Sequence, residues 1–186
     1  MNGLKFAAEK RDNGFTIVEL LIVIVVIAVL AAITVVTFNG AYSRARNSSR
    51  ITAAKQYIQL LQNYYTINGS YPFNSGRYCL GTGFTDVNSN GVGDCYNAAT
   101  GDSWLTSESS TVNTELLEVG SLPNSPKDHI VGTDGIPRVG PIGIWKADGK
   151  LWVYYIIERP AASSCPLGSQ EWGTTNTLIC QVQVSS

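Results

Sequence analysis

Few side chains in this sequence are of types that do chemistry, and their spacing decides how much chemistry remains. The one histidine is His129, and no serine or cysteine has a partner that spacing identifies, so a nucleophile–imidazole hydrolase lacks its second member. No catalytic residue is assigned, and the expectation is a protein that is not an enzyme. Cys79, Cys95, Cys165 and Cys180 form no CxxC pair and stand beside no histidine cluster, so they give no zinc pattern and read as disulfides. Three pairings are open. The short, turn-rich loops favour Cys79 with Cys95 and Cys165 with Cys180, which places the C-terminal part of the chain in an oxidising compartment.

The run "DVNSNGVGDC" sets Asp86, Asn88 and Asn90 at alternate positions before Gly91, as in the first half of an EF-hand loop. Oxygens at alternate residues can converge on one calcium ion while the glycine turns the chain, and Asp94 could add a further, water-mediated ligand. The twelfth loop position is Asn97, where a bidentate glutamate is expected. A cation here would be held weakly, and the competing reading is a disulfide-closed turn built by Asn, Asp and Gly for conformational reasons.

The third feature is Glu19, the only charge in residues 15–38. As a helix at about 1.5 Å per residue that stretch covers roughly 36 Å, enough to cross a bilayer core. A carboxylate costs on the order of 2–3 kcal/mol near the centre of such a helix and less near its end, so it needs a reason to be there. A removable secretory signal would be shorter and would end at a small-residue cleavage site, whereas this segment runs on into more helix.

"GFTIVELL", residues 14–21, resembles the class III signal of type IV prepilins: a short charged leader, a glycine before the cut, a phenylalanine after it, and a glutamate at the fifth mature position. The resemblance implies that a prepilin peptidase cuts between Gly14 and Phe15 and that Phe15 is then N-methylated. It also implies that Glu19 pairs with the terminal amine of a neighbouring subunit, neutralising two charges that would otherwise be buried alone. The implied partners are further copies of the chain in a helical filament, a prepilin peptidase, and a pilus assembly ATPase with its membrane platform. Members of the family often carry a proline in the apolar segment, and this sequence has none; residues 34–37 and Gly40 are weak helix formers that could soften there instead.

These residues must be held by a long helix. Ile51, Ala54, Ile58, Leu61 and Tyr65 recur at three- and four-residue steps, with Arg50, Lys55, Gln59 and Gln62 elsewhere on the surface. Asn68, Gly69 and Pro72 mark its end. Residues 73–101 read as loop, residues 111–119 as a second helix, "IGIWKADGKLWVYYII" as a hairpin around Asp148 and Gly149, and residues 178–184 as a last strand. The fold class is therefore α+β: a long N-terminal helix packed on a small antiparallel sheet head with two disulfides. The expected organisation is a cytoplasmic leader over 1–14, a membrane and filament-core helix over 15–38, its amphipathic half over 39–66, and an extracytoplasmic head over 67–186.

A hydrophobic content of 44 % excludes a disordered chain, and the net charge of −1 hides an uneven distribution. Between residues 39 and 85 there are Arg44, Arg46, Arg50, Lys55 and Arg77 and no acid. The basic group Arg44, Arg46, Arg50 and Lys55 admits contacts with DNA phosphates, but neutralisation by acidic heads of adjacent subunits is the preferred reading, and nothing else indicates DNA. Lys5, Lys10 and Arg11 precede the apolar run and four cations follow it, so charge counting alone does not orient it. The cysteines and the resemblance put the N-terminus inside. Trp145, Trp152, Tyr154 and Tyr155 could form a stacking surface, with buried packing expected for at least half of them.

The reading is a filament subunit of a type IV pilus, serving motility, adhesion or DNA uptake and starting as a single-pass inner-membrane precursor. Two rivals are a pseudopilin of a type II secretion or competence machine, which "LLEVGSLPNSPKD" resembles over a short stretch, and a minor tip pilin acting as a binding module.

Overall fold

The computed structural model describes residues 14–87, 89–96, 105–159 and 161–184, with side chains described for all of these except 35–39. Most of the expected leader, along with Asn88 and Asn97 of the Asp/Asn loop, lies outside the described residues.

Helix α1 runs from Ile17 to Asn68. It starts where Thr16 caps it. It stops at Gly69, whose φ of 70° is a left-handed conformation costly for any residue with a Cβ, and whose N–H donates to the Tyr65 carbonyl at 2.8 Å. The chain divides into two compact units, one ending at Asn39 and one beginning at Gly40. The amphipathic half of α1 thus shares a unit with the head.

Among the described residues of that second unit, α1 is followed by nine short strands and one short helix. β6 (Ile142–Trp145) and β7 (Leu151–Glu158) form the expected hairpin, pairing Trp145 with Leu151; Gly149 takes φ 77° in the turn and the Lys146 N–H closes it onto the Lys150 carbonyl at 2.9 Å. With β1 (Arg77–Cys79), β8 (Ser169–Gly173) and β9 (Thr177–Gln183) they make a five-stranded antiparallel sheet in the order β1-β6-β7-β9-β8. A second sheet joins β2 (Asp94–Tyr96), β3 (Thr106–Ser107), β4 (Ile130–Val131) and β5 (Pro137–Arg138) in the order β3-β2-β5-β4. Residues 73–101 are therefore not loop throughout, since β1 and β2 lie within them. Helix α2, Ser110–Leu117, matches the second expected helix and is capped by the Ser109 hydroxyl, which accepts from the Val112 N–H at 3.3 Å.

β7 separates two hydrophobic cores. Successive strand side chains point to opposite faces. Leu151, Val153, Tyr155 and Ile157 pack with Ala54, Tyr57, Leu61 and Tyr64 of α1, while Tyr154 and Ile156 pack on the far side with Cys79, Cys95, Ile130 and Val139. Tyr154 and Tyr155 are thus buried, and Trp145 and Trp152 are half-buried. The disulfides are Cys79–Cys95 and Cys165–Cys180, closing separations of 16 and 15 residues.

The buried stripe of α1 differs from the expected one. It runs through Arg50, Ala53, Ala54, Tyr57, Leu60, Leu61 and Tyr64, leaving Ile51 and Ile58 half-buried and Tyr65 48 % exposed. The helix is rotated so that a guanidinium, expected at the surface, faces inward.

Candidate functional site

At the amino-terminal site, Thr16 and Glu19 bracket the first turn of α1 reciprocally. The Glu19 N–H donates to Thr16 Oγ1 at 3.2 Å, and Glu19 Oε2 accepts from the Thr16 N–H at 2.8 Å and from its hydroxyl at 2.7 Å. This is a capping box, T-x-x-E, satisfying backbone donors that the helix start leaves without intrahelical partners. It gives Glu19 a local physical function that the sequence displayed but the charge argument passed over. The carboxylate is held at the helix N-terminus against Thr16, the neighbour of Phe15, which is 82 % exposed.

Beyond Glu19 the helix is apolar and uncovered. Residues Ile17–Thr34 form one helix long and apolar enough to cross a membrane, with none of that surface buried within the chain. Leaving so many Leu, Ile and Val side chains in water is unfavourable by about 25 cal/mol per Å², so lipid or other helices must cover them.

Further along α1 the cations find acids within their own chain. Asn47 donates to the Glu158 carbonyl at 3.0 Å and accepts from the Glu158 N–H at 2.8 Å. Arg50 donates to Glu158 Oε1 at 3.2 Å and to the Asp128 carbonyl at 2.7 Å. Arg46 pairs with the same Glu158 carboxylate and lies 3.6 Å from Asp128. Burial, followed by the nearby Arg46 charge, pulls the Arg50 pKa down, and Glu158 opposes both. Two of the four cations of the basic group are thus neutralised intramolecularly.

The Asp/Asn loop is organised by its own backbone. Asp86 accepts from the Asn90 N–H at 3.2 Å and the Gly91 N–H at 2.7 Å, and Asn90 Oδ1 accepts from the Val92 N–H at 2.8 Å. Asp94, fully buried, accepts from the Val87 N–H at 3.2 Å and the Ser107 hydroxyl at 2.6 Å. Among the described residues no group of three or more His, Cys, Asp or Glu is placed to hold a metal ion. Asp86, Asn90 and Asp94 thus accept hydrogen bonds from the loop's own backbone and from Ser107. His129 Nε2 lies 3.3 Å from the Asp94 carbonyl.

A second buried cation also went unanticipated. Arg138 is fully buried, bound to Asp134, with its guanidinium 5.2 Å from the Tyr96 ring centre and 4.9 Å from that of Trp172. Its strand is too short to show a pattern in the sequence.

Residues 10–35 match the family model described as the prokaryotic N-terminal methylation motif. The chain thus carries the class III signal of type IV pilins and prepilins, on an N-terminal helix able to span a membrane. No curated protein and no solved structure matches the chain. The likeness to type IV pilins and pseudopilins therefore rests on the amino terminus.

Proposed function

We propose that this chain is the precursor of a type IV pilus-like filament subunit. Residues 1–14 are a cytoplasmic leader, removed by prepilin peptidase between Gly14 and Phe15, and Phe15 becomes the methylated N-terminus. Residues 15–38 hold the precursor in the inner membrane with the N-terminus inside, and the head from 67 onward is extracytoplasmic. An assembly ATPase and its membrane platform then draw subunits out, and the apolar helices exchange lipid for one another.

The observation that carries this reading is the pairing of a wholly uncovered apolar helix with one carboxylate fixed at its start. In lipid or in a filament core the apolar side chains are covered at no cost in desolvated polar groups. Glu19 is the single group whose burial demands a partner, and the amine of a neighbouring Phe15 supplies one. Apolar packing then provides most of the association energy, and the Glu19 pair sets which axial offset is allowed. Arg46 and Arg50 do not compete for that role, because Glu158 and Asp128 occupy them.

Intact mass and N-terminal analysis of sheared cell-surface material, compared with the membrane fraction, tests the reading. A chain beginning at methylated Phe15 in abundant sheared fibres is expected. The same processed chain confined to the envelope would transfer it to a pseudopilin. Protein beginning at Met1 and found only in the membrane would overturn the filament mechanism.

A further inference from the structure

At the end of α1, the head contains a cleft of about 670 Å³ between the last turns of the helix, the segment that follows it, α2 and the β6–β7 turn. Its walls are aromatic. The Tyr65 and Tyr71 rings stack with centroids 4.7 Å apart, Trp145 stands 6.1 Å from Tyr71 at an interplanar angle of 60°, and all three residues line the space. Glu115 lines the same space and accepts a hydrogen bond from the Tyr64 hydroxyl at 2.8 Å. That bond, then burial, then the charges of Glu115 and Glu118 push the Tyr64 pKa up.

The rest of the head shows what is unusual here. Elsewhere the chain lays its own cations on its aromatic faces: Lys127 is 4.0 Å from the centre of the Phe84 ring, Lys146 is 4.5 Å from that of Trp152, and Arg138 is 4.9 Å from that of Trp172. Among the described residues, no cation lies over Tyr65, Tyr71 or Trp145, and no Lys, Arg or His pairs with Glu115. The cleft therefore combines electron-rich ring faces with a carboxylate that has no countercharge.

We propose that this cleft binds an organic ammonium group, with Tyr65, Tyr71 and Trp145 supplying cation–π faces and Glu115 the countercharge. A quaternary ammonium fits best. It is weakly hydrated, spreads its charge over methyl groups that can touch several rings, and needs no directed hydrogen bond from the wall. A neutral sugar would also use the rings, but it would leave the Glu115 charge without a partner. The volume leaves room for a substituent on the ammonium, as in choline or a choline-bearing headgroup. This site is independent of the filament reading, since none of its residues belongs to the amino-terminal motif.

The test is calorimetric titration of the full-length protein in maltoside micelles with tetramethylammonium, choline, phosphocholine and 3,3-dimethylbutan-1-ol, the neutral isostere of choline. Saturable one-to-one binding of choline is expected, at least tenfold tighter than the isostere. Glu115→Gln, which keeps an acceptor for the Tyr64 hydroxyl, should weaken choline at least tenfold with an unchanged thermal midpoint, and Tyr71→Ala should also weaken it. Phosphocholine binding tighter than choline would support the proposal with a headgroup as source; the reverse order would support it with a free solute. Absence of saturable ammonium binding, equal binding of the isostere, an unaltered affinity in Glu115→Gln, or binding of a methyl glycoside alone would overturn it.

Discussion

Asn47 and Glu158, 111 residues apart in the chain, exchange two hydrogen bonds through the Asn47 amide and the Glu158 backbone, as an adjacent strand would. The helix thereby caps the end of β7 with a side chain where a further sheet residue could not reach. Asn47 is only 4 % exposed, and the Glu158 carbonyl also accepts from the Ala162 N–H at 3.2 Å, so it is the Glu158 N–H that depends on Asn47.

Asn47→Ala should take from the Glu158 N–H its side-chain acceptor, while the carbonyl keeps the Ala162 N–H, and destabilise the head by about 1–3 kcal/mol, read by chemical denaturation. Asn47→Asp keeps the acceptor but loses the donor and adds charge beside Glu158, so it should be no better than alanine. A loss below about 0.5 kcal/mol for the alanine variant would show that the junction is not closed by this residue.

The Arg50–Glu158 pair should behave non-additively. Glu158→Gln leaves a buried guanidinium with reduced compensation and should cost about 3 kcal/mol. Adding Arg50→Met removes the uncompensated charge and should recover part of that loss, giving a measurable coupling energy in a double-mutant cycle. Simple addition of the two effects would contradict the account of Arg50 as a buried charge held by Glu158.

Burial raises the pKa values of Tyr57, Tyr154 and Tyr155 above the usual tyrosine value. The folded chain then holds these phenolic protons more tightly than the unfolded chain does. Their contribution to stability is complete below about pH 10 and is lost as the pH rises through the raised values. Unfolding free energy should fall with pH above about 10, and Tyr57→Phe should make that fall shallower. A flat profile to pH 12 would contradict it.

The Asp86 loop should depend on its own hydrogen bonds and not on calcium. Asp86→Ala should lower stability by about 1 kcal/mol in chelator-treated buffer, and calcium in the millimolar range should leave the thermal midpoint of the unaltered protein within about 1 °C. A calcium-dependent rise that Asp86→Ala abolishes would restore the loop as a cation site.

Glu19→Ala should still be cut after Gly14, because the altered side chain lies beyond the scissile bond, but it should be missing from sheared filaments. Glu19→Gln keeps the capping geometry without the charge, so it separates the two functions of the residue. Normal filament incorporation of both variants would remove Glu19 from assembly.

Much of the scaffold could be read from the chain, and the reasons differ by element. The apolar run needed only length, the hairpin announced itself at Asp148 and Gly149, and loop size favoured, among three open pairings, the two disulfides that the structure has. The second sheet could not be seen, since strands such as Thr106–Ser107 and Pro137–Arg138 are shorter than one period of alternation. Arg50 was misplaced because hydrophobic periodicity scores a guanidinium as surface, whereas its partners, Asp128 and Glu158, lie far along the chain. The Thr16–Glu19 capping box was visible and eclipsed by the question of charge in lipid. The aromatic cleft draws on Tyr65, Tyr71, Glu115 and Trp145, which only the folded chain brings together.

The two disulfides close separations of 16 and 15 residues: Cys79–Cys95 joins β1 of one sheet to β2 of the other, and Cys165–Cys180 ties the segment before β8 to β9. A protease that cuts once between Cys79 and Cys95, or once between Cys165 and Cys180, therefore produces no fragment that can leave. The nicked molecule migrates as a single species until a reductant is added, and only then divides. In the extracytoplasmic setting proposed for the head, such damage stays local: a severed loop remains anchored at both stumps.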